Sequence, residues 1–191
     1  MKRRSLTAAI LAASFLLISP SSAPASPKPI ETFTAFAASL GTGKTGVILI
    51  DIYRWSTDAE RESLLTTLQE FGPDGLLKAL EKIRPPVGRM RTAGSLGWDL
   101  YYARNHPAPD GSRRVVFATN RNVSFREVAN NTRSMQYQFT LIEIHLDATG
   151  TGDGKLVPAA KVSWDRASKK IEIDNYNALP VDLMKVTVKK P

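Results

Sequence analysis

After Arg84-Pro85-Pro86 the chain changes character, and the succession of strand-like segments beyond that point limits the fold more than any other feature. Residues 87–93, 98–104, 113–120, 135–146, 156–164, 169–175 and 181–188 read as strands, most of them separated by brief polar or glycine-rich links. The longest link, 121–134, is polar and poorly periodic and reads as loop. Short links force antiparallel neighbours, because a parallel crossover needs a dozen or more residues. Segment 135–146 has a further peculiarity. Its apolar set runs on odd numbers at Met135, Tyr137, Phe139 and Leu141, then on even numbers at Ile142, Ile144 and Leu146. A one-residue phase change in a strand implies a bulge or a sharp bend, as where a sheet closes or folds over.

Upstream, residues 26–30 read as a flexible start, and 31–40 are mixed, fitting a short strand or a turn of helix. Residues 47–55 are β-branched and aromatic and are apolar on both faces except at Asp51, so they belong inside a sheet or under helices. Thr57 and Glu60 have capping-box spacing, and Leu64, Leu65, Leu68 and Phe71 mark a buried helical stripe. Gly72 ends that helix. Pro73 suits the first turn of a second one, which carries Leu76, Leu77, Leu80 and Ile83 and stops at Pro85-Pro86. Residues 57–83 are thus an αα-hairpin with one apolar side, and the sheet is its available partner. The expectation is an α+β chain: a strongly curved antiparallel sheet or barrel-like domain of about seven or eight strands over residues 26–191, capped by the helical hairpin. The order strand, helix pair, meander is similar to that of the intracellular lipid-binding barrels. The likeness is one of topology, and topology alone does not carry function.

The first 25 residues read as an address. Lys2, Arg3 and Arg4 precede an apolar run from Leu6 to Ile18, and Ala23 and Ala25 are the small residues a signal peptidase requires, which places the cut before Ser26. The run is shorter than the roughly 20 residues a membrane helix needs, so the expectation is an exported soluble protein, periplasmic or extracellular. The absence of Cys from all 191 residues excludes a disulfide framework, a thiolate metal site and a cysteine nucleophile. Without the leader, 23 basic residues oppose 18 acidic ones. The basic charge is concentrated in residues 84–133, which hold nine Arg, no Lys and three acids.

That Arg set points to a surface or pocket that receives an anion, since guanidinium groups form two-pronged bonds with carboxylates and phosphates. Arg89 and Arg91 share one strand face, and Arg113 and Arg121 share another provided residues 113–121 stay extended. Arg89, Arg91, Arg104 and Arg113, with Trp98 and Tyr102 among them, form the candidate ligand site. Glu143 and His145 lie two apart on one strand face, where a carboxylate beside an imidazole supports acid–base work, or a plain cross-strand pairing. Asp51 in its apolar strand needs an Arg partner, or else is a catalytic acid in a pocket. His106, in a proline-rich loop, reads as solvated.

Two motif-like stretches fail on context. Residues 38–45 fit a relaxed phosphate-loop pattern, but a true phosphate loop opens a helix, and here a strand comes next. The stretch reads as a glycine-rich turn. Residues 147–154 carry Asp147 and Asp153 among glycines, weak calcium candidates with too few acids for an EF-hand loop, and read as a hairpin turn. No cofactor or metal is expected. The leading reading is a binding protein for an amphipathic or anionic small molecule, or for an envelope glycan or lipid, held between the curved sheet and the helix pair. The alternatives are an acid–base, hydrolase-like enzyme around Glu143 and His145, and a structural or protein-interaction domain. Arg and aromatic side chains interleaved in sequence also suit single-stranded nucleic acid, but export removes the chain from that partner.

Overall fold

A computed structural model of the chain describes residues 27–39, 43, 45–121, 137–175 and 179–191. The leader expected over residues 1–25 lies outside the described residues. The order of elements is β1 (Glu31–Ala38), β2 (Thr45–Ile52), α1 (Asp58–Glu81), β3 (Gly88–Thr92), β4 (Trp98–Leu100), β5 (Tyr102–Pro107), β6 (Arg113–Thr119), β7 (Phe139–Leu146), β8 (Thr151–Asp165), β9 (Lys170–Asn175) and β10 (Val181–Lys189). All described pairings are antiparallel, in the order β4-β3-β2-β1-β10-β8-β7-β6-β5, with β9 paired to β8 alone.

The two ends of that order are consecutive in the chain. β4 and β5 are one bent stretch broken at Tyr101, whose N–H donates to the Ala118 carbonyl at 3.0 Å. Its first half pairs with β3 and its second with β6, which brings the sheet nearly to a closed barrel. Inside lie Phe33, Ile50, Ile52, Met90, Leu100, Val115, Phe117, Ile142, Ile144 and Leu183, all buried. Phe33 meets Phe117 edge-on with ring centroids 5.4 Å apart.

Among the described residues ten strands replace the expected seven or eight. The ambiguous segment 31–40 is a full strand. Phe33, Ala35 and Ala37 point inward from it, and its three alanines mute the period-2 signal. Segment 98–104 is two strands because its chain changes partner at Tyr101. β5 then runs on to Pro107, so His106 is a strand residue and does not sit in a loop.

The helices form as their sequence dictates. Thr57 caps the Glu60 N–H, the Glu60 carboxylate returns to the Thr57 N–H at 2.8 Å, and Arg54 holds that carboxylate by two bonds of 2.8 and 2.9 Å. Two helical segments meet at Gly72, whose φ of 67° breaks the ladder. Leu64, Leu68, Leu76 and Leu80 are buried, whereas Phe71, which has the spacing of the stripe, is exposed. The pair packs on the outer face of the barrel wall, against Tyr101, Phe139, Ala160 and Val162.

That location explains the phase change in 135–146. β7 alternates regularly. Phe139 and Leu141 face outward under α1, and Ile142, Ile144 and Leu146 face into the barrel. The apolar set changes parity because the strand is covered on both faces at one end only. The irregularity itself lies in the partner strand. Phe139 pairs with Ala160 and Leu141 with Val157, which leaves one extra residue in β8 beside Pro158. Proline lacks the N–H a regular ladder needs, so a bulge is its ordinary place in a sheet. Beyond it β8 leaves the wall and pairs with β9 as a projecting hairpin.

One end of the barrel is closed by charge. Glu31 and Arg113 are almost fully buried and form a two-pronged pair at 2.9 and 3.2 Å, with the guanidinium over the Phe33 ring, 5.6 Å from its centroid. Removing Glu31 strands the Arg113 charge in low dielectric, which costs about 3–5 kcal/mol, whereas Glu31 without Arg113 still has Lys190 Nζ at 3.7 Å. Glu31→Gln is expected to lose about that much in urea denaturation, Arg113→Met less because Lys190 stays beside Glu31, and the double replacement Glu31→Leu/Arg113→Met is expected to recover most of the Glu31→Gln loss.

Candidate functional site

The outer face of the wall is a lattice set by strand register. Tyr102, Ala118, Leu141 and Val157 lie in one row across β5, β6, β7 and β8. The next row is Arg104, Val116, Glu143 and Lys155, and the third is His106, Arg114, His145 and Asp153. The face thus grades from apolar to charged within three rows. α1 lies over the apolar end, and the projecting β8–β9 hairpin contributes Val162, Ile171 and Ile173 beside it.

Helix pair, hairpin and wall do not meet completely. Between them is an open groove of about 200 Å³ lined by Leu64, Leu68, Leu80, Ala118, Leu141 and Ile173 among others, with Arg61 and Tyr102 as its polar groups. Ile171 and Ile173 are half exposed to it. The volume is below the roughly 300–1,000 Å³ typical of drug-sized ligand clefts, so the groove suits a slender molecule, a single alkyl chain or one small ring.

The charged end is organised by pairing. Arg104 bonds the Asp58 carboxylate and lies 3.4 Å from the Ser56 carbonyl, which fixes β5 to the first turn of α1. Arg114 lies 3.6 Å from Glu143, and Glu143 is 2.7 Å from His145 Nε2. Arg61, one turn beyond Asp58 on the helix, forms no ion pair among the described residues. The Tyr102 hydroxyl has no hydrogen-bond partner among the described residues. Burial pushes the Tyr102 phenol up, so it stays protonated and a donor; nearby Arg104, Arg61 and Arg114 oppose that shift in part. Burial, followed by the same three guanidinium groups with Arg114 foremost, holds the His106 imidazolium pKa below its ordinary value, so the ring is neutral at neutral pH.

The structure gathers some of the candidates and separates others. Tyr102 and Arg104 are neighbours at the groove. Arg89 and Arg91 lie on β3, on the face opposite the buried Met90. Arg91 is bound to Asp51 at 2.8 Å and Arg89 to the Leu96 carbonyl. Asp51 also accepts from the Thr32 hydroxyl at 2.8 Å, so both its oxygens are engaged. Trp98 packs with the barrel interior, and Arg113 is in the buried pair with Glu31. Arg121 lies beyond the end of β6 and shares no strand face with Arg113. Glu143 and His145 are on the outer face at its charged end, in one lattice with the second histidine, His106, which is remote from them in sequence. Ala38 and Thr45 stand opposite one another in the antiparallel β1–β2 pair, and residues 40–42 and 44 of the 38–45 stretch lie outside the described residues. Arg61, Ile171 and Ile173 are groove residues that sequence reasoning misses. Nothing in their spacing marks them, because the groove exists only where the β8–β9 hairpin meets the helices.

A second apolar surface lies across the barrel. Met184, Phe36 and Val47 stand opposite one another on β10, β1 and β2, and all three are exposed. Comparison with protein-family models, with curated proteins and with solved structures finds no match to this chain.

Among the described residues no group of three or more metal-ligating side chains occurs. Asp147 turns the β7–β8 hairpin by accepting from the Thr149 and Thr151 N–H groups and hydroxyls at 2.6–3.1 Å. Those bonds, the Thr149 hydroxyl foremost, lower its pKa to about 2. A depressed carboxylate supports the fold fully above its unfolded value near 4, and that support is lost as pH falls through about 2. The Thr149 and Thr151 amide resonances are therefore expected to titrate with a midpoint near 2, and millimolar calcium is expected to leave them unmoved.

Proposed function

We propose that this chain is an exported binding protein that holds a slender amphipathic molecule in the groove between the helix pair and the outer barrel wall. The observation that carries the reading is the groove itself: an apolar space beside a packed barrel, with polar groups at one end of its lining. The barrel interior is filled by side chains, so the space for a ligand lies outside it, under the helices. The leader-like N-terminal sequence supports export. No described helix is long and apolar enough to cross a membrane.

Acid–base chemistry at Glu143 and His145 is the second reading, favoured by their 2.7 Å contact with Arg114 beside them. Both side chains are substantially exposed on an open face. Such an exposed pair in water lacks the desolvation that tunes a catalytic group.

The groove is tested by titrating the full protein with 1-decanol in a calorimeter. Binding at one site per chain is expected. Ile171→Glu combined with Ile173→Glu, at positions exposed enough to leave the fold intact, is expected to weaken it at least tenfold. Absence of binding to the unaltered protein sinks the proposal. Export is tested separately by N-terminal sequencing of protein recovered from outside the cytoplasm of a bacterial host, where Ser26 is the expected first residue.

A further inference from the structure

We infer that the groove's polar end recognises a single carboxylate, so that its occupant is a slender monocarboxylate amphiphile with its chain under the helices and its acid at Arg61. This rests on the groove being a binding site, as proposed above.

Charge and position carry the argument. Three guanidinium groups gather at this end: Arg61 on the groove lining, Arg104 one row from Tyr102, and Arg114 in the row beyond. Two carboxylates answer them, Asp58 on Arg104 and Glu143 on Arg114. Of the three, Arg61 is the one with no ion-pair partner among the described residues, and it alone of them lines the groove; Lys155, in the row of Glu143, is paired with Asp182. His106 adds none while neutral. The Tyr102 hydroxyl, protonated and unpartnered among the described residues, supplies a neutral donor in the lining of the same groove, on β5 where Arg61 is on α1. One free guanidinium and one phenol donor match the two oxygens of a carboxylate. They match a dianionic phosphate less well, since its second charge finds only cations already paired. The apolar lining excludes a free small anion as the main occupant, because the volume under the helices would then hold water against leucine and isoleucine.

The order of affinities for decanoate, 1-decanol and decyl phosphate at pH 7.5, measured by calorimetry on the full protein, decides it. Decanoate is expected to bind about tenfold tighter than 1-decanol, as a charge-assisted hydrogen bond supplies. Decyl phosphate is expected to bind no tighter than decanoate. Arg61→Gln is expected to abolish the preference for decanoate, read as the ratio of the decanoate and 1-decanol dissociation constants on the same variant, and Arg61→Lys to retain most of it. Arg61 is exposed on its helix, so these replacements leave the core untouched. Equal binding of decanoate and 1-decanol, or a preference that survives Arg61→Gln, overturns the inference and leaves the groove standing. Decyl phosphate binding tenfold tighter than decanoate overturns the carboxylate assignment in favour of a phosphate head. Failure of every chain to bind removes the groove reading along with this one.

Discussion

The structure depends on one constraint: part of the barrel wall is apolar on both faces. Phe139 and Leu141 project outward from the same strand that sends Ile142, Ile144 and Leu146 inward. A strand of this kind cannot face water on either side. Closing the sheet buries only the inner set, so the outer set requires a second layer. The two segments of α1 provide it, with Leu64, Leu68, Leu76 and Leu80 against the wall. Burying each such side chain is worth about 1.5–3 kcal/mol, which no pairing of exposed charges on this surface approaches.

The features legible in the sequence are those that arise within a few residues. The capping box at Thr57 and Glu60, the break at Gly72, the stop before Pro85 and the antiparallel arrangement all come from local pattern. Whatever depends on which strand meets which was not legible. The phase change at residues 141–142 implied a bulge, and a bulge exists at that level of the sheet, yet the extra residue is in β8 beside Pro158. His106 looked like part of a proline-rich loop because Pro107 and Pro109 come after it. Pro107 ends β5, where the absence of an N–H is tolerated.

The Arg-rich stretch shows why charge density along a sequence is a poor guide to charge density in space. Successive strand residues alternate faces, and successive strands of a barrel point in different directions. The Arg run is therefore distributed around the molecule, and most of its described members meet acids distant in sequence. Arg113 meets Glu31, Arg104 meets Asp58, Arg91 meets Asp51 and Arg114 meets Glu143. These pairs cross element boundaries. Two of them have evident structural effects: one closes a barrel end and one ties the first turn of α1 to β5. The guanidinium left over at the groove, Arg61, comes from outside the run altogether.

The groove arises from the same double-sided wall and from the small side chain at its floor. Ala118 stands between Tyr102 and Leu141 in the apolar row, and at that point the wall offers a methyl group where its neighbours offer a phenol and an isobutyl group. A chain selected only for stability would fill such a space, since dispersion contacts are lost wherever a void replaces atoms. Retaining an alanine there, with two isoleucines left half exposed beside it, is a cost to the fold. The proposed occupant offsets it, completing the outer core in the way the helices alone do not.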